Sequence, residues 1–464
     1  MAKKNVLVIS EQFTHGGLET HILNQVAGIG DKVNFVFAFG KYETNDELKN
    51  NTVYDIGSFA DNYKVADFHR QVNRLLEIVD KEKIDVIHAH PFLSLLPAMF
   101  VSVLSGKPMI YTLHGGPSLS AYSDMFTYNF LQRFFFSYLD PRIVSVRKEF
   151  EDVQASYGIK NYNYVPNSLI PNNYKNLDRA SNNKWALLTR LDDESRTAIT
   201  EILNKIDDIG IEHIDIYGSG WAEDEINSLI VDKGLSGRVR LCGWSNGVVG
   251  ALTSDKYEGV IGHGQVALDG LAAGYPVLLL SYGRVSGLID KTLYDEIKEY
   301  NFINIYHKSI VGDELTVQFN KYHENPSQFI LSEDVTKDFN NGDIQKQYLK
   351  VIEAATHKYS TQIADMWERI SDLISEGSLV ASEKLLESWA IEELVGESAL
   401  RYGFVVQRDL LNEIHRNRRY RKLESIISVL NQKIADQEQE IQSLTTIRNS
   451  SKLFVKSIKK KFSK

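Results

Sequence analysis

The sequence has very little cysteine and no long apolar run. Cys242 is the one cysteine among 464 residues, which excludes a disulfide framework and a thiolate metal cluster and indicates a reducing compartment. A membrane-spanning helix needs about 18 or more consecutive apolar residues, and no such run occurs. The N-terminus has two lysines but only a short apolar stretch that continues as a strand, so we expect no signal peptide. These absences favour a cytoplasmic protein.

The charge is unevenly distributed. The formal net charge is −9, and residues 448–464 alone carry +7, so the rest of the chain carries −16. An acidic body argues against a nucleic-acid partner, because phosphate contacts need clustered cations. With 43% hydrophobic residues over 464 positions, the chain can bury the cores of two or three domains.

Residues 1–172 alternate between short apolar runs and helical patterns such as Phe68–Lys81. This alternation predicts a parallel sheet covered by helices. The predicted strands are Asn5–Ser10, Val33–Phe39, Asp85–Ala89, Met109–Leu113, Arg142–Val146 and Tyr162–Val165.

After a linker at 166–183, residues 184–375 repeat the plan. The predicted strands are Trp185–Thr189, Ile214–Tyr217, Val239–Leu241, Gly259–Ile261 and Pro276–Leu280. The sequence therefore predicts an α/β protein with two Rossmann-like domains that face a ligand cleft.

From about Asp343 the pattern is helical: Gln345–Tyr359, Thr361–Ser375 and Ser378–His415, the last within an extension at 376–415. Residues 416–447 then show heptads with isoleucine at a and leucine at d. This favours a parallel two-stranded coiled coil and hence a homodimer. The alternative is a single helix packed on its own domain.

The tail at 448–464 spaces Phe454, Ile458 and Phe462 four residues apart among lysines. This is typical of a basic amphipathic helix that lies on an anionic membrane. It predicts a peripheral location on the inner face of the cell membrane. The alternative is a disordered, solubilising end.

In the first half, polar and glycine-rich turns follow three predicted strands. Gly16 and Gly17 allow backbone N–H groups to approach an anion where a helix begins. His114 stands at the end of a later strand, where it can orient a hydroxyl or donate to a phosphate, although a hydrogen-bonded structural role is the alternative. His88 and His90 share one face of a strand, but without a third ligand at suitable spacing we predict no metal site.

In the second half, Arg190 directly follows a strand, and Arg196 lies near the start of the next helix. An anionic ligand would explain cations at a helix N-terminus, and ion pairs with Asp192, Asp193 or Glu194 are the alternative. Further on, a glycine-spaced loop enters a helix. Amides from Gly264 through Gln265 to Val266 can hold a diphosphate, and Asp269 can accept from ribose hydroxyls; a capped helix without ligand is the alternative.

The order of these motifs over residues 4–375 resembles the retaining GT-B glycosyltransferases of family 4, which use nucleotide sugars. The resemblance rests on Gly16-Gly17-Leu18-Glu19, Asp85–His90, Thr112-Leu113-His114, Val165-Pro166-Asn167, Arg190-Leu191 and Leu268–Val277. The segment Tyr359–Trp367 also resembles the family's closing helix.

The resemblance implies a role for each matched residue. Gly16 and Gly17 would lie against the donor diphosphate, His114 would contact the sugar, and Arg190 would neutralise the leaving diphosphate. Arg196, Gly264, Gln265, Val266 and Asp269 would complete the donor site, with His90 and Asn167 in the cleft on the acceptor side. No cofactor or metal is implied, and the co-substrate would be a UDP-sugar. The acceptor would be a saccharide, and the basic amphipathic tail favours a lipid-linked one in bacterial surface polysaccharide synthesis.

Four positions depart from the family pattern. Its two glutamates eight residues apart are here Ile261 and Asp269, its lysine five residues after the arginine is Ser195, and Gln265 replaces a common arginine. Two alternatives therefore stay open. One is a non-catalytic GT-B subunit that positions an active partner, and the other is an epimerase of the same fold.

Overall fold

The computed structural model describes residues 3–375, except 15, 44–45, 60–63, 91, 115–140, 149–159, 176, 246, 282, 304–309 and 311–312. Met1–Leu385 form one compact unit, and both sheets lie within it. The predicted helix Ser378–His415, the predicted coiled coil at 416–447 and the basic tail at 448–464 lie outside the described residues. None of the described helices combines the length and the apolar content that a membrane span requires.

The first lobe is a parallel seven-stranded sheet in the order β3-β2-β1-β4-β5-β6-β7. Its strands are β1 Lys4–Phe13, β2 Val33–Tyr42, β3 Thr52–Asp55, β4 Val86–Ala89, β5 Met109–Leu113, β6 Arg142–Ser145 and β7 Tyr162–Tyr164. Its described helices are α1 Gly17–Ile29, α2 Val65–Lys81 and α3 Leu95–Ser105. The central strands are buried on both faces, as expected for parallel strands covered by helices.

The second lobe is a six-stranded sheet in the order β10-β9-β8-β11-β12-β13, parallel except for the β12–β13 pair. Its strands are β8 Lys184–Leu188, β9 His213–Tyr217, β10 Val239–Gly243, β11 Gly259–Gly262, β12 Val277–Ser281 and β13 Arg284–Leu288. Its helices are α4 Asp193–Lys205, α5 Glu223–Asp232, α6 Gly247–Ser254, α7 Gln265–Ala272, α8 Lys291–Ile297, α9 Glu314–Glu324 and α10 Ser332–Asp338.

The chain returns to the first lobe through α11 (Asn341–Glu353) and α12 (Thr361–Ser375). Ile344, Tyr348, Val351 and Ile352 of α11 are buried in the core of the first sheet. The two segments that connect the lobes run side by side, because the Leu169 N–H donates to the Phe339 carbonyl and the Asn341 N–H donates to the Leu169 carbonyl, both at 2.9 Å.

The predicted strands are confirmed, with ends that move by a few residues. β3 and β13 were not predicted: β3 is a partly exposed edge strand of four residues, and β13 pairs antiparallel with β12. The predicted helix Gln345–Tyr359 is wrong at its C-terminal end, since α11 stops at Glu353. At that end, two cationic side chains of the first lobe donate hydrogen bonds to backbone carbonyls. Lys4 donates to the Ile352 carbonyl at 3.2 Å, and Arg142 donates to the Ala354 carbonyl at 3.0 Å.

Candidate active site

The candidate site lies where strand order reverses in each sheet. In the first sheet the reversal falls between β1 and β4, and in the second between β8 and β11. Open α/β sheets bind ligands outside the carboxyl ends of strands at such points. α1 begins four residues after β1 ends, and α7 begins three residues after β11 ends.

The N-termini of α1 and α7 meet across the two lobes. A Cβ atom built on Gly17 would lie 3.7 Å from the Cβ of Gln265. Both helices have a glycine N-cap, Gly16 and Gly264, without a side-chain hydrogen bond to the first turn. Gly264 has φ +57°, a left-handed conformation that favours glycine. Two helix N-termini that converge in this way form a favourable environment for an anion.

The predicted loop amides are already partly used within the protein. The Gly264 N–H donates to the Phe302 carbonyl and the Val266 N–H donates to the His263 carbonyl, both at 3.1 Å. These bonds fix the shape of the loop. The N–H groups of Gly264 and Val266 are therefore already used, and the attraction of this end of α7 for an anion comes mainly from the helix dipole.

Arg190 offers an accessible positive charge beside this loop. Its side chain is 81% exposed, and its guanidinium lies 3.8 Å from the Asp192 carboxylate, a loose ion pair. The Arg190 charge acts on His263, since burial and then this charge hold the pKa of His263 below its ordinary value. Since β8 pairs with β11 and Arg190 comes two residues after β8, this residue belongs to the same carboxyl edge of the sheet as the α7 loop.

Arg196 is placed differently. It pairs with Glu225 of α5 at 2.5 Å and with Asp193 at 3.1 Å, which corresponds to the ion-pair alternative. Ser195, at the position of the family's lysine, is buried with its hydroxyl 3.0 Å from that of Thr189. Arg196 is thus neutralised by ion pairs and Ser195 is uncharged, so neither adds a second accessible positive charge to that of Arg190.

Asp269 sits one turn into α7 in a nearly closed hydrogen-bond network. Its Oδ1 accepts from the Tyr174 hydroxyl and from the Gln265 amide, both at 2.7 Å. Burial raises the pKa of Asp269 to about 6, so the group is a carboxylate at neutral pH and a neutral acid in mildly acidic solution. Ile261, eight residues earlier, is fully buried in β11, so it cannot contact a ligand.

Four histidines of the first lobe form a cluster: His21, His88, His90 and His114. The His21 and His114 rings are perpendicular with centroids 4.8 Å apart, and the His88 and His90 centroids are 4.2 Å apart. Burial is the main cause that lowers all four pKa values, to about 4 for His21 and about 3 for His88. The cluster is therefore neutral at physiological pH.

This cluster lacks the arrangement of a metal centre. Across residues 3–375, leaving aside the undescribed gaps, no three or more histidine, cysteine, aspartate or glutamate side chains are placed to hold a metal ion. Instead the rings bond to neighbours: His88 Nε2 lies 2.8 Å from the Thr112 hydroxyl, which in turn contacts the Tyr348 hydroxyl.

A chain of hydrogen bonds joins this cluster to the second lobe. His21 Nδ1 lies 3.0 Å from Asn167 Oδ1, and Asn167 Nδ2 donates to Asn301 Oδ1 at 3.0 Å. Since Asn167 uses its amide as the donor to Asn301, its oxygen accepts and His21 carries a proton on Nδ1. Asn301 lies next to Gly264, with its amide nitrogen 3.8 Å from a Cβ built there.

His21, Tyr348 and Asn301 were not predicted as site residues. His21 stands one turn after Gly17, so it follows the helix N-terminus on the same face of α1, and this spacing was the available signal. Tyr348 and Asn301 had no comparable signal, because each reaches the site from a distant part of the chain.

Residues 15–172 match the family model described as Glycosyltransferase Family 4. No curated protein matches the chain in sequence. Among solved structures, Anabaena Alr3699/HepE in complex with UDP-glucose is similar with a TM-score of 0.57 and 15% identity, covering 75% of this chain and 99% of that one.

Two further solved structures are similar. Sucrose-phosphate synthase from Thermosynechococcus elongatus has a TM-score of 0.55 at 13% identity, covering 76% of this chain and 98% of its own. The lipopolysaccharide outer core galactosyltransferase WaaB has a TM-score of 0.52 at 13% identity, covering 76% of this chain and 99% of its own. The described lobes thus share the GT-B fold of these structures, and residues 15–172, about a third of the chain, match the Glycosyltransferase Family 4 model.

Proposed function

We propose that the protein is a retaining glycosyltransferase that transfers a sugar from a nucleoside diphosphate sugar, a UDP-sugar, to a hydroxyl of a saccharide acceptor. The observation that carries the proposal is the meeting of two helix N-termini, at Gly17 and Gln265. Arg190, with an exposed guanidinium, follows the strand that pairs with β11 at this edge of the second sheet. A diphosphate is the part of a nucleotide sugar that such a site attracts. The solved complex of HepE with UDP-glucose supports a uridine donor.

In this proposal each lobe has a separate task. The α7 loop and Arg190 hold the diphosphate and stabilise the negative charge that develops as the sugar leaves. His114, a neutral imidazole, donates a hydrogen bond to the sugar near the reacting carbon. Asp269 accepts from the ribose as a carboxylate, and the acceptor approaches from the first lobe near His90 and Asn167. Retention of anomeric configuration is what the family resemblance implies.

The proposal is tested by incubating the full chain with a panel of nucleotide sugars. We expect a UDP-sugar at 100 times its Kd to stabilise the protein by about 2.7 kcal/mol, visible as a higher melting temperature. We also expect release of UDP, with an α-linked product from an α-linked donor by NMR. An inverted product would refute retention, and neither stabilisation nor turnover across the panel would refute the donor site.

The departures at two positions favour a second candidate, a non-catalytic GT-B subunit. Ile261 is fully buried, and Ser195 bonds to Thr189, so two side chains that the family uses toward the donor cannot act there. The same panel separates the candidates: a subunit of this kind shows no UDP release. An epimerase would convert the nucleotide sugar itself with no acceptor present.

The acceptor proposal rests on residues outside the described part. The lysine-rich tail at 448–464 and the heptads at 416–447 support a homodimer on an anionic membrane, and a membrane location favours a lipid-linked saccharide as acceptor. We expect the full chain to co-sediment with vesicles that contain phosphatidylglycerol and not with pure phosphatidylcholine vesicles. Replacing Phe454, Ile458 and Phe462 with serine should abolish the difference; equal sedimentation with both vesicles would contradict membrane attachment.

A further inference from the structure

His90 and His114 follow the neighbouring parallel strands β4 and β5, and their rings are hydrogen-bonded to each other. His90 Nδ1 lies 3.0 Å from His114 Nε2. The backbone of His90 is fixed on both sides: its N–H donates to the Ile9 carbonyl at 2.8 Å, and its carbonyl accepts from the Ser94 hydroxyl. The His90 ring is therefore a rigid partner for His114.

The surroundings of His90 determine which ring nitrogen carries the proton. Its second nitrogen, Nε2, is buried and has no hydrogen-bond partner within the described part of the chain. A buried N–H without an acceptor is rarer in proteins than an acceptor lacking one partner. The His90 proton therefore belongs on Nδ1, from which it donates to His114 Nε2. Since neutral imidazole carries one proton, His114 holds its own on Nδ1.

The surroundings also keep this pair uncharged. Burial is the main cause that lowers the pKa of both His90 and His114 well below the ordinary value, and the neighbouring His21 and His88 lower it further. Those rings come from α1 and β4, and Tyr348 of α11 packs against His21 and His88. No carboxylate is among the groups that set either pKa. Both rings are therefore neutral at physiological pH.

We infer that His90 is a positioning residue that holds His114 in one tautomer, with its proton on Nδ1, so that His114 acts on the donor sugar as a hydrogen-bond donor and not as a base. The inference rests on the proposed function for the sugar contact of His114. It assigns to His90 a task distinct from an acceptor contact. A residue that fixes a ring in this way contributes by orientation, since small misplacement of a catalytic group is costly.

The tautomer is measured directly on the wild-type chain without any substrate. Protein labelled with [15N]histidine is examined by imidazole 15N–1H correlation, and the His114→Gln variant assigns the His114 signals by their loss. We expect a protonated, pyrrole-type Nδ1 and an unprotonated Nε2 for His114, unchanged between pH 6 and 8. A protonated Nε2, or a titration within that range, would overturn the inference.

Two variants of His90 test the consequence for catalysis. His90→Asn keeps an N–H donor near the position of Nδ1, and His90→Leu removes it. We expect His90→Leu to lower kcat by about 10²-fold with little change in KM, and to move the loss of activity in acid to higher pH because His114 Nε2 no longer accepts the hydrogen bond from His90 and can bind a proton instead. His90→Asn should recover most of the rate, and His213→Asn, at an exposed histidine, serves as control.

The outcomes separate this inference from the proposed function. If the wild-type chain turns over a UDP-sugar but His90→Leu matches it in rate and pH profile, the positioning role is wrong and the enzyme stands. If His90→Leu and His90→Asn lose rate equally, with lowered melting temperatures, His90 is structural only. If the wild-type chain has no turnover, the proposed function fails, and the NMR measurement still decides the tautomer.

Discussion

Replacing Arg190 with alanine is expected to lower the turnover of a UDP-sugar by about 10²–10³-fold, the usual cost of removing one group that stabilises developing negative charge. The guanidinium is 81% exposed and only loosely paired with Asp192, so its loss should leave the melting temperature unchanged. The effect should appear in kcat, because leaving-group charge develops in the transition state. Steady-state release of UDP measures it.

Arg70→Ala is the matched control. Arg70 is a similarly exposed arginine, 75%, with one carboxylate partner, Asp67 at 3.0 Å, on α2 of the first lobe. Its replacement should change neither turnover nor stability beyond about 1 kcal/mol. Arg190→Lys should retain part of the rate, since the charge remains without the planar fork of donors. Wild-type turnover in Arg190→Ala would remove this residue from the mechanism.

Replacing Asp215 with alanine is expected to destabilise the protein by about 3 kcal/mol, the lower end of the range for breaking a buried ion pair. Asp215 is 5% exposed and accepts from Arg240 at 2.7 Å, from the Tyr257 hydroxyl at 2.8 Å and from Lys184 at 2.8 Å. Lys184 would lose its buried partner. Arg240 is 62% exposed, so water replaces the hydrogen bonds that its guanidinium would lose with Asp215. Urea unfolding near pH 7.5 measures the loss.

The effect of Asp215 depends on pH in a defined direction. Burial alone would raise the pKa of this carboxyl, but the bonds from Arg240, Lys184 and Tyr257 bring it below the ordinary value. A lowered pKa in the folded state contributes stability above the unfolded value of about 3.9, and this stability is lost as the pH falls through the folded value. The variant and the wild type should therefore converge below about pH 4.

Asp207→Ala provides the comparison for Asp215. Asp207 also pairs with an arginine, Arg238 at 2.5 Å, but its side chain is 81% exposed. Its replacement should cost less than about 1 kcal/mol at any pH, because exposed ion pairs contribute little. Equal losses in the two variants would show that burial of Asp215 does not govern its contribution.

Much of the fold was predictable because its strands are short apolar runs between polar turns. Val6–Ile9 and Val277–Leu280 are completely or nearly completely buried, and such runs are the signature of parallel strands covered on both faces. β3 escaped prediction because an exposed edge strand has no apolar run. The end of α11 was not predicted because it is set by Lys4 and Arg142, which are distant in sequence and donate hydrogen bonds to the carbonyls at its C-terminus.

The candidate site was predictable only where strand ends define it. The glycine turn at Gly17, the loop at Gly264 and Arg190 each follow a strand directly, and parallel strands bring their carboxyl ends to one edge. Arg196 shows the limit. Its place in the first turn of α4 indicated an anion site, but α5 supplies Glu225, 29 residues away, as its partner.

The two α/β lobes, and the glycine and arginine residues at their strand ends, follow from the sequence alone, because local periodicity encodes strands, helices and turns. The pairs of residues that meet in space follow from the packing of the whole chain: Gly17 with Gln265, His90 with His114, and Asn167 with Asn301. These contacts join residues 24 to 248 positions apart, where no local pattern reports distance. The neutral state of His90 and His114 follows from the burial that folding imposes.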